Sequence, residues 1–250
     1  MALYRDEAIV LRTQKLGEAD RIVTVLSRQH GRIRAVAKGV RRTSSKFGSR
    51  LEPFNHVDLQ LAEGRTLDTI TQAVTVTPYG ARLGNDYDRY TAGTVMLETA
   101  ERLVVEDKEP SLQQYLLLLG ALRALTETEG PADGIDVRPA LAVLDSFLLR
   151  SLAVAGYAPS FDACARCGVV GPHRAFSPAA GGALCPTCRV PGSASPAEGT
   201  MVLLAALLTG DWARVQEADP RHAREGHSLV TAYLSWHLER GLKSLPHLVR

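Results

Sequence analysis

Short runs of alternating apolar and polar residues characterise the N-terminal third of the chain. Between His56 and Leu61, the apolar residues Val57, Leu59 and Leu61 alternate with polar ones, as in a half-buried strand. Four further runs are strand-like, namely Glu7–Leu11, Arg21–Leu26, Arg32–Val36 and Thr66–Thr77. Five short strands that are so close together predict a small β-barrel, an architecture that removes exposed sheet edges.

The period of the pattern changes to that of helices after Pro78. Apolar residues then recur three and four positions apart, which is typical of amphipathic helices. A polar connection from Thr126 to Arg138 interrupts them. The predicted helices are Tyr87–Val105, a helix capped by Ser111 that ends at Leu125, a helix from Pro139 to Ala155 before Gly156, Thr200–Leu208 and Ser228–Leu242.

Four cysteines lie in a stretch without helical periodicity. They form two Cys-x-x-Cys pairs with 17 residues between the pairs, and this is the spacing of a tetrahedral four-thiolate zinc site. Four sulfurs leave no coordination position for water or substrate, so we expect one structural Zn²⁺ rather than a catalytic one. The predicted ligands are Cys164, Cys167, Cys185 and Cys188.

Two alternatives concern the same segment. The cysteines could form two disulfides, but the N-terminus lacks the apolar run of a signal peptide, and thiols stay reduced in the cytosol. His173 lies between the pairs and could replace one cysteine as a ligand, although a surface position is the more common one for such a histidine.

These patterns predict an α+β multidomain protein. The barrel is of the oligonucleotide-binding (OB) type or, alternatively, SH3-like. The four-cysteine zinc module is inserted in a helical bundle, whose last helices could not bury their apolar faces alone. The predicted units are an OB-fold nucleic-acid-binding domain at 1–79, a helical domain at 80–158, the zinc-binding module at 159–192 and C-terminal helices completing the helical domain at 193–250.

Charge is distributed unevenly along the chain. The net charge is only +2, but residues 1–80 carry 13 Lys and Arg against 8 Asp and Glu. No acidic residue lies between Asp20 and Glu52, whereas nine basic residues do. This acid-free stretch predicts a polyanionic partner.

The acid-free stretch divides into a strand and a loop. On the strand, Ile33 and Ala35 face one way and Arg34 the other, so one face is apolar and one cationic. The loop mixes cations with glycine, hydroxyl residues and one aromatic that could stack on a base. The alternative is a solvated charged loop. The predicted nucleic-acid-binding residues are Arg32, Arg34, Lys38, Arg41, Arg42, Lys46, Phe47 and Arg50.

Several protein classes are disfavoured by the sequence. Hydrophobic residues make up 45% of the chain and charged ones 22%, which favours a folded protein over a disordered one. No apolar run is long and uninterrupted enough to cross a bilayer, so we expect a cytoplasmic protein without a membrane partner. No phosphate loop, zinc-protease motif, nucleophile elbow or dinucleotide fingerprint is found, which predicts a protein that is not an enzyme.

The chain resembles the RecO family of bacterial recombination mediators. The residues that carry the resemblance are Gly17-Glu18-Ala19-Asp20-Arg21, Gly31, Ala37-Lys38-Gly39-Val40-Arg41-Arg42, Phe47-Gly48 and Leu51-Glu52-Pro53-Phe54. The order of barrel, helices and cysteine pairs extends the resemblance over essentially the whole chain.

The resemblance implies a function and a set of partners. The function is non-enzymatic: binding of single- and double-stranded DNA, annealing of complementary strands, and assistance in loading RecA onto strands coated by single-stranded DNA-binding protein. The implied partners are DNA, RecR, the C-terminal tail of single-stranded DNA-binding protein and, indirectly, RecA, at a nucleoid-associated location. Two other hypotheses remain: an RNA- or transcription-associated zinc-ribbon protein, and a protein-interaction scaffold.

Overall fold

The N-terminal strands are β1 (Leu3–Leu16), β2 (Asp20–Ser27), β3 (Gly31–Ala37), β4 (His56–Ala62) and β5 (Asp68–Thr77). They close into a barrel in the order β1-β2-β3-β5-β4. The structure is a computed structural model that describes residues 2–127, 138–238 and 241–248. Neighbouring strands are antiparallel, except for a short parallel contact between β3 and β5. This closed order confirms the predicted OB-type barrel.

The barrel interior is filled by the apolar residues that alternate along the strands. Val57, Leu59 and Leu61 of β4 are at most 1% exposed, as their period-two pattern predicts. The polar residues between them, Asp58 and Gln60, remain partly accessible to solvent. The alternation in the sequence therefore identifies the inner face of the barrel.

Three helices belong to the same compact unit as the barrel, which comprises residues 1–137 and 246–250. Asp86 caps the second of these helices by accepting a hydrogen bond from the Arg89 amide at 3.0 Å. Ser111 occupies the N-cap position of the third helix as predicted, but its hydroxyl does not cap the helix amides and donates to the carbonyl of Glu109 at 3.3 Å instead. The helices are α1 (Tyr79–Leu83), which the sequence pattern did not predict, α2 (Tyr87–Leu103) and α3 (Leu112–Thr126).

The second unit, residues 138–245, is built on three helices that pack against one another, namely α4 (Ala140–Val154), α5 (Glu198–Thr209) and α7 (Pro220–His237). Gly226 of α7 is buried against Leu203 and Leu204 of α5, so the missing side chain lets the two helices approach closely. The other elements are β6 (Ala175–Ser177), β7 (Gly182–Leu184) and α6 (Trp212–Gln216). A short 3₁₀ turn lies at Pro178–Ala180, and another, Leu245–His247, spans the boundary between residue 245 and residue 246.

The last helix differs from its predicted bounds. It begins at Pro220 instead of Ser228, because Asp219 caps it and accepts a hydrogen bond from the Arg221 amide at 2.8 Å. The added turns are mostly polar and show no apolar stripe, so periodicity did not reveal them. The predicted extension to Leu242 crosses residues 239–240, which lie outside the described part of the chain.

The two units divide at residues 137 and 138, inside the polar connection predicted between Thr126 and Arg138. Most of that connection, residues 128–137, lies outside the described residues. The contacts thus group α1–α3 with the barrel and α4–α7 with each other. The helical domain at 80–158 stays a prediction. Among the described residues, no helix is long and apolar enough to cross a membrane.

Candidate nucleic-acid interface and cysteine cluster

Strand β3 separates apolar from cationic side chains as its sequence predicts. Ile33, Ala35 and Ala37 are at most 1% exposed and lie in the barrel core. Arg34, between two of them, is exposed on the outer face. The strand therefore presents a charge to solvent from a rigid backbone.

Arg32 has a structural role, which corrects its assignment as a phosphate-binding residue. Its guanidinium donates to the carboxylate of Asp107 at 2.6 Å and to the carbonyls of Glu101 at 3.1 Å and Val105 at 2.6 Å. These carbonyls lie in the last turn of α2 and just beyond it, where backbone acceptors lack helical partners and a cation is favoured. Arg32 thus fixes the end of α2 to the barrel.

Three other predicted cations are exposed but also bond to the backbone. Arg41 donates to the Glu18 carbonyl at 2.8 Å, and Lys46 donates to the Thr71 carbonyl at 2.7 Å. Arg50 donates to the carbonyls of Lys46 at 2.8 Å and Phe47 at 3.1 Å. Because neutral carbonyls accept these bonds, the three side chains keep their positive field while they hold the loop in place.

Arg34, Lys38 and Arg42 form a second class of cations. All three are exposed, and within the described residues none of them makes a side-chain hydrogen bond or an ion pair. Their full hydrogen-bonding capacity is therefore available to a ligand. We call these three residues the free cations.

Phe47 is a core residue, so its prediction as a base-stacking residue is wrong. It is 2% exposed and packs in the barrel core with Val40 and Leu51. The nitrogen Nζ of Lys46 lies 5.1 Å from the centroid of the Phe47 ring. Val40, Phe47, Leu51 and Phe54 are all buried, and no alternation within this basic loop distinguishes them from its exposed residues.

Asp20 belongs to this surface, although the sequence predicted no role for it beyond marking one end of the acid-free stretch and lying in the segment 17–21 of the family resemblance. Its Oδ1 accepts a hydrogen bond from the Gly39 amide at 2.7 Å. Gly39 has a φ of +68°, in the left-handed region that glycine tolerates best. Asp20 therefore connects the start of β2 to the turn that carries Lys38 and Arg42.

The four cysteine sulfurs lie within 4.8 Å of one another. Around a tetrahedral zinc ion with bonds of 2.3 Å, neighbouring sulfurs are about 3.8 Å apart. The Sγ atoms of Cys167 and Cys185 are separated by 3.8 Å, far longer than a disulfide bond. In distance and donor type, the cluster fits one tetrahedral metal ion.

Each cysteine pair lies in a turn closed by the backbone. The Gly168 amide donates to the Cys164 carbonyl at 2.8 Å, and the Cys188 amide donates to the Cys185 carbonyl at 3.1 Å. Gly168 has a φ of +73°, as the first turn requires. Backbone N–H groups, that of Cys185 foremost, point at the Cys164 sulfur and lower its pKa to about 6, which favours the thiolate that binds metal.

His173 is separate from the cluster. Its Nε2 lies 2.8 Å from the Val169 carbonyl, and the group that could hold a metal consists of the four cysteines alone among the described residues. The structure therefore gives no support to His173 as a replacement ligand.

The cysteine segment has little apolar core of its own. Its buried cluster comprises two cysteines together with Ala175 and Leu184. The rings of Phe161 and Phe176 are stacked 6.0 Å apart, and Phe176 lies 5.9 Å from the ring of Tyr233 in α7. A few aromatic contacts thus attach the segment to the helices, and the sulfurs form its centre.

Comparisons with known proteins cover both units. Residues 1–79 match the family model described as Recombination protein O N terminal, and residues 84–246 match Recombination protein O C terminal. The chain is 69% identical to DNA repair protein RecO of a Nocardioides species over 99% of this chain and 100% of that protein. It is 60% identical to DNA repair protein RecO of Streptomyces avermitilis, with 99% of both chains covered. The chain with the free cations and the cysteine cluster therefore belongs to the RecO family.

Proposed function

We propose that this protein is a non-enzymatic recombination mediator in DNA repair. It binds single- and double-stranded DNA, anneals complementary strands and assists the loading of RecA on strands coated by single-stranded DNA-binding protein. The observation that carries the proposal is the group of free cations Arg34, Lys38 and Arg42 on the barrel of a RecO-family chain.

Annealing follows from charge and requires no covalent chemistry. Two complementary strands repel each other through their phosphates, and a cationic surface that neutralises both lowers this barrier. The free cations supply the phosphate contacts. Arg41, Lys46 and Arg50 add positive field while their hydrogen bonds keep the loop ordered. No bond is made or broken, so DNA incubated with the protein and Mg²⁺ or Zn²⁺ should remain chemically intact.

The cysteine cluster would hold one structural Zn²⁺ through Cys164, Cys167, Cys185 and Cys188. The support for zinc is the four-thiolate donor set and the spacing of the sulfurs. Bound zinc would supply folding free energy to a segment with a small core, and with all four positions filled it would leave no site for a substrate.

The partners and the location belong to the same proposal. A mediator must meet RecR, the C-terminal tail of single-stranded DNA-binding protein and, indirectly, RecA, and its place of action is the nucleoid in the cytoplasm. Family membership supports these assignments. If RNA of the same sequence outcompetes DNA, the protein is instead an RNA- or transcription-associated zinc-ribbon protein. If neither nucleic acid binds, it is a protein-interaction scaffold.

Strand annealing tests the proposal directly. Two complementary oligonucleotides, one carrying a fluorophore and one a quencher, are first coated with single-stranded DNA-binding protein. Addition of the wild-type chain should accelerate quenching, and the variant R34A/K38A/R42A should lose most of this acceleration. The control R123A/R214A/R221A removes the same charge at exposed arginines outside the barrel and should anneal like wild type. Equal annealing by both variants would contradict the assignment.

A further inference from the structure

Two chain segments are joined at one end of the β2–β3 pair. The Gly39 amide donates to Oδ1 of Asp20 at 2.7 Å, and the Arg41 amide donates to the carbonyl of Ala19 at 2.9 Å. The register of β2 and β3 pairs Arg21 with Ala37, so Asp20 and Lys38 are the next residues on either side. The segment after β3 is therefore attached to the start of β2 at two successive points.

The first of these bonds fixes the turn that bears two free cations. A hydrogen bond from the Arg42 amide to the Gly39 carbonyl, at 3.1 Å, closes the turn from residue 39 to 42. Lys38 precedes this turn, Arg42 is its last residue, and Gly39 at its start is held by the Asp20 carboxylate. A hydrogen bond to an ionised carboxylate is stronger than one between neutral groups.

The bond from the Arg41 amide to Ala19 is a backbone bond and does not depend on a side chain. The Arg41 guanidinium also donates to the Glu18 carbonyl at 2.8 Å, but its removal would also remove a cation. The bond to Asp20 can be removed by substitution without loss of positive charge.

If only its charge mattered, Asp20 would weaken DNA binding. A carboxylate in the middle of a cationic surface repels phosphate, so removal of its charge should strengthen DNA binding. Glu18 in the neighbouring turn is a matched comparison. It is exposed, and its side chain makes no hydrogen bond or ion pair within the described residues, while its carbonyl accepts from Arg41 regardless of the side chain. Asp20 and Glu18 carry the same charge, but only the side chain of Asp20 is hydrogen-bonded to the turn.

We propose that Asp20 is a positioning residue of the DNA interface, which holds the Lys38–Arg42 turn in its DNA-binding conformation. The inference rests on the proposed DNA-binding function. A turn that is ordered before binding loses less conformational entropy when it contacts the phosphates, and this gain exceeds the repulsion by one carboxylate. Asp20 acts through the free cations and does not itself touch DNA.

The test measures binding of a fluorescein-labelled oligo(dT) by fluorescence anisotropy at several salt concentrations. D20A should bind about three- to tenfold more weakly than wild type, with a smaller salt slope, because Lys38 and Arg42 are less often in place. E18A, which has the same charge change, should bind as tightly as wild type or slightly more tightly, with the slope unchanged. D20N keeps the acceptor oxygen without the charge and should retain at least wild-type affinity.

Hydrogen exchange without DNA provides the second readout. Amide protection at residues 39–42 should fall in D20A, recover in D20N and remain unchanged in E18A, while the barrel strands stay protected in all three. If wild type binds DNA and D20A binds as tightly as E18A, electrostatics dominates and the positioning role is refuted. If wild type binds no DNA, the proposed function fails and the inference fails with it.

Discussion

The barrel and the cysteine segment are ordered by different means. The barrel buries a continuous set of alternating side chains from five strands, and its cations lie on a surface that this core already holds rigid. The cysteine segment has two strands of three residues each, and its small apolar cluster includes two of the cysteines. Buried apolar side chains order the barrel, whereas the cysteine sulfurs lie at the centre of the other region. Truncation of a core side chain should therefore destabilise the barrel, and loss of a sulfur or of bound metal should destabilise the cysteine segment.

The largest expected effect is loss of the proposed metal site. The variant C185S removes a buried sulfur, and hydrogen exchange should show loss of protection throughout residues 159–192, while the barrel strands remain protected. Structural zinc in small domains contributes about 10–16 kcal/mol, far more than the apolar contacts of this segment could replace. Addition of a strong chelator to wild type should have the same result.

A matched variant isolates the role of the sulfur. Thr187 lies in the same turn, is exposed and is no member of the cluster, so T187A should leave both exchange and metal content unchanged. Metal analysis of wild type should find one zinc per chain. Full protection of residues 159–192 in C185S would show that the apolar contacts suffice without metal.

The next effect concerns Phe47 in the barrel. Truncation of a buried phenylalanine costs about 3–5 kcal/mol, so F47A should lower the free energy of unfolding of the barrel by that amount. F47L fills much of the cavity and should cost less than F47A, with DNA binding unchanged. Urea unfolding followed by circular dichroism, together with oligo(dT) binding, checks both variants. Weak DNA binding by a stably folded F47L would restore Phe47 as a stacking residue.

The smallest effect is a pH dependence of the second unit. His227 Nδ1 lies 2.8 Å from Oδ1 of the buried Asp145, between α7 and α4. Burial disfavours the charged imidazole, but the hydrogen bond and charge of Asp145 outweigh it and raise the pKa of His227. Burial also raises the pKa of Asp145, against the influence of His227.

Both shifts mean that the folded state holds protons more tightly than the unfolded state. The contribution of His227 to the stability of this unit should therefore be complete below the ordinary pKa of histidine and be lost as the pH rises through its raised pKa, by at most about 1.4 kcal/mol per pH unit for one proton. The raised pKa of Asp145 acts with the same sign, and its contribution falls as the pH rises above the ordinary pKa of aspartate. Both tryptophans, Trp212 and Trp236, lie in this unit and report its unfolding by fluorescence. In H227Q, the free energy of unfolding of this unit should depend less on pH. If its slope against pH is unchanged in H227Q, the His227–Asp145 pair is excluded as the origin of the pH dependence.

The barrel and the cysteine cluster could be predicted because their signals are local. A strand with one buried face shows alternation within a few residues, and two Cys-x-x-Cys pairs need only their spacing. The roles of individual cations are not local. Arg32 bonds to Glu101, Val105 and Asp107, about seventy positions away, so its sequence neighbours reveal its charge but not its acceptors.

Elements without a periodic face could not be predicted either. Phe47 lies in a loop, where no alternation indicates which side faces the core, and the first turns of α7 are mostly polar. The hydrogen bond from Gly39 to Asp20 joins residues that are distant in sequence and close only after β2 and β3 pair. In each case a tertiary contact, absent from the local pattern, determines the role.

The salt dependence of oligo(dT) binding by R34A/K38A/R42A tests the central claim most directly. Each lost contact with single-stranded DNA should reduce the slope of log K against log salt concentration by about 0.7, so three lost contacts should reduce it by about 2. The control R123A/R214A/R221A should keep the wild-type slope. That pair of results would support the free cations as the DNA-binding surface, and a wild-type slope in R34A/K38A/R42A would contradict it.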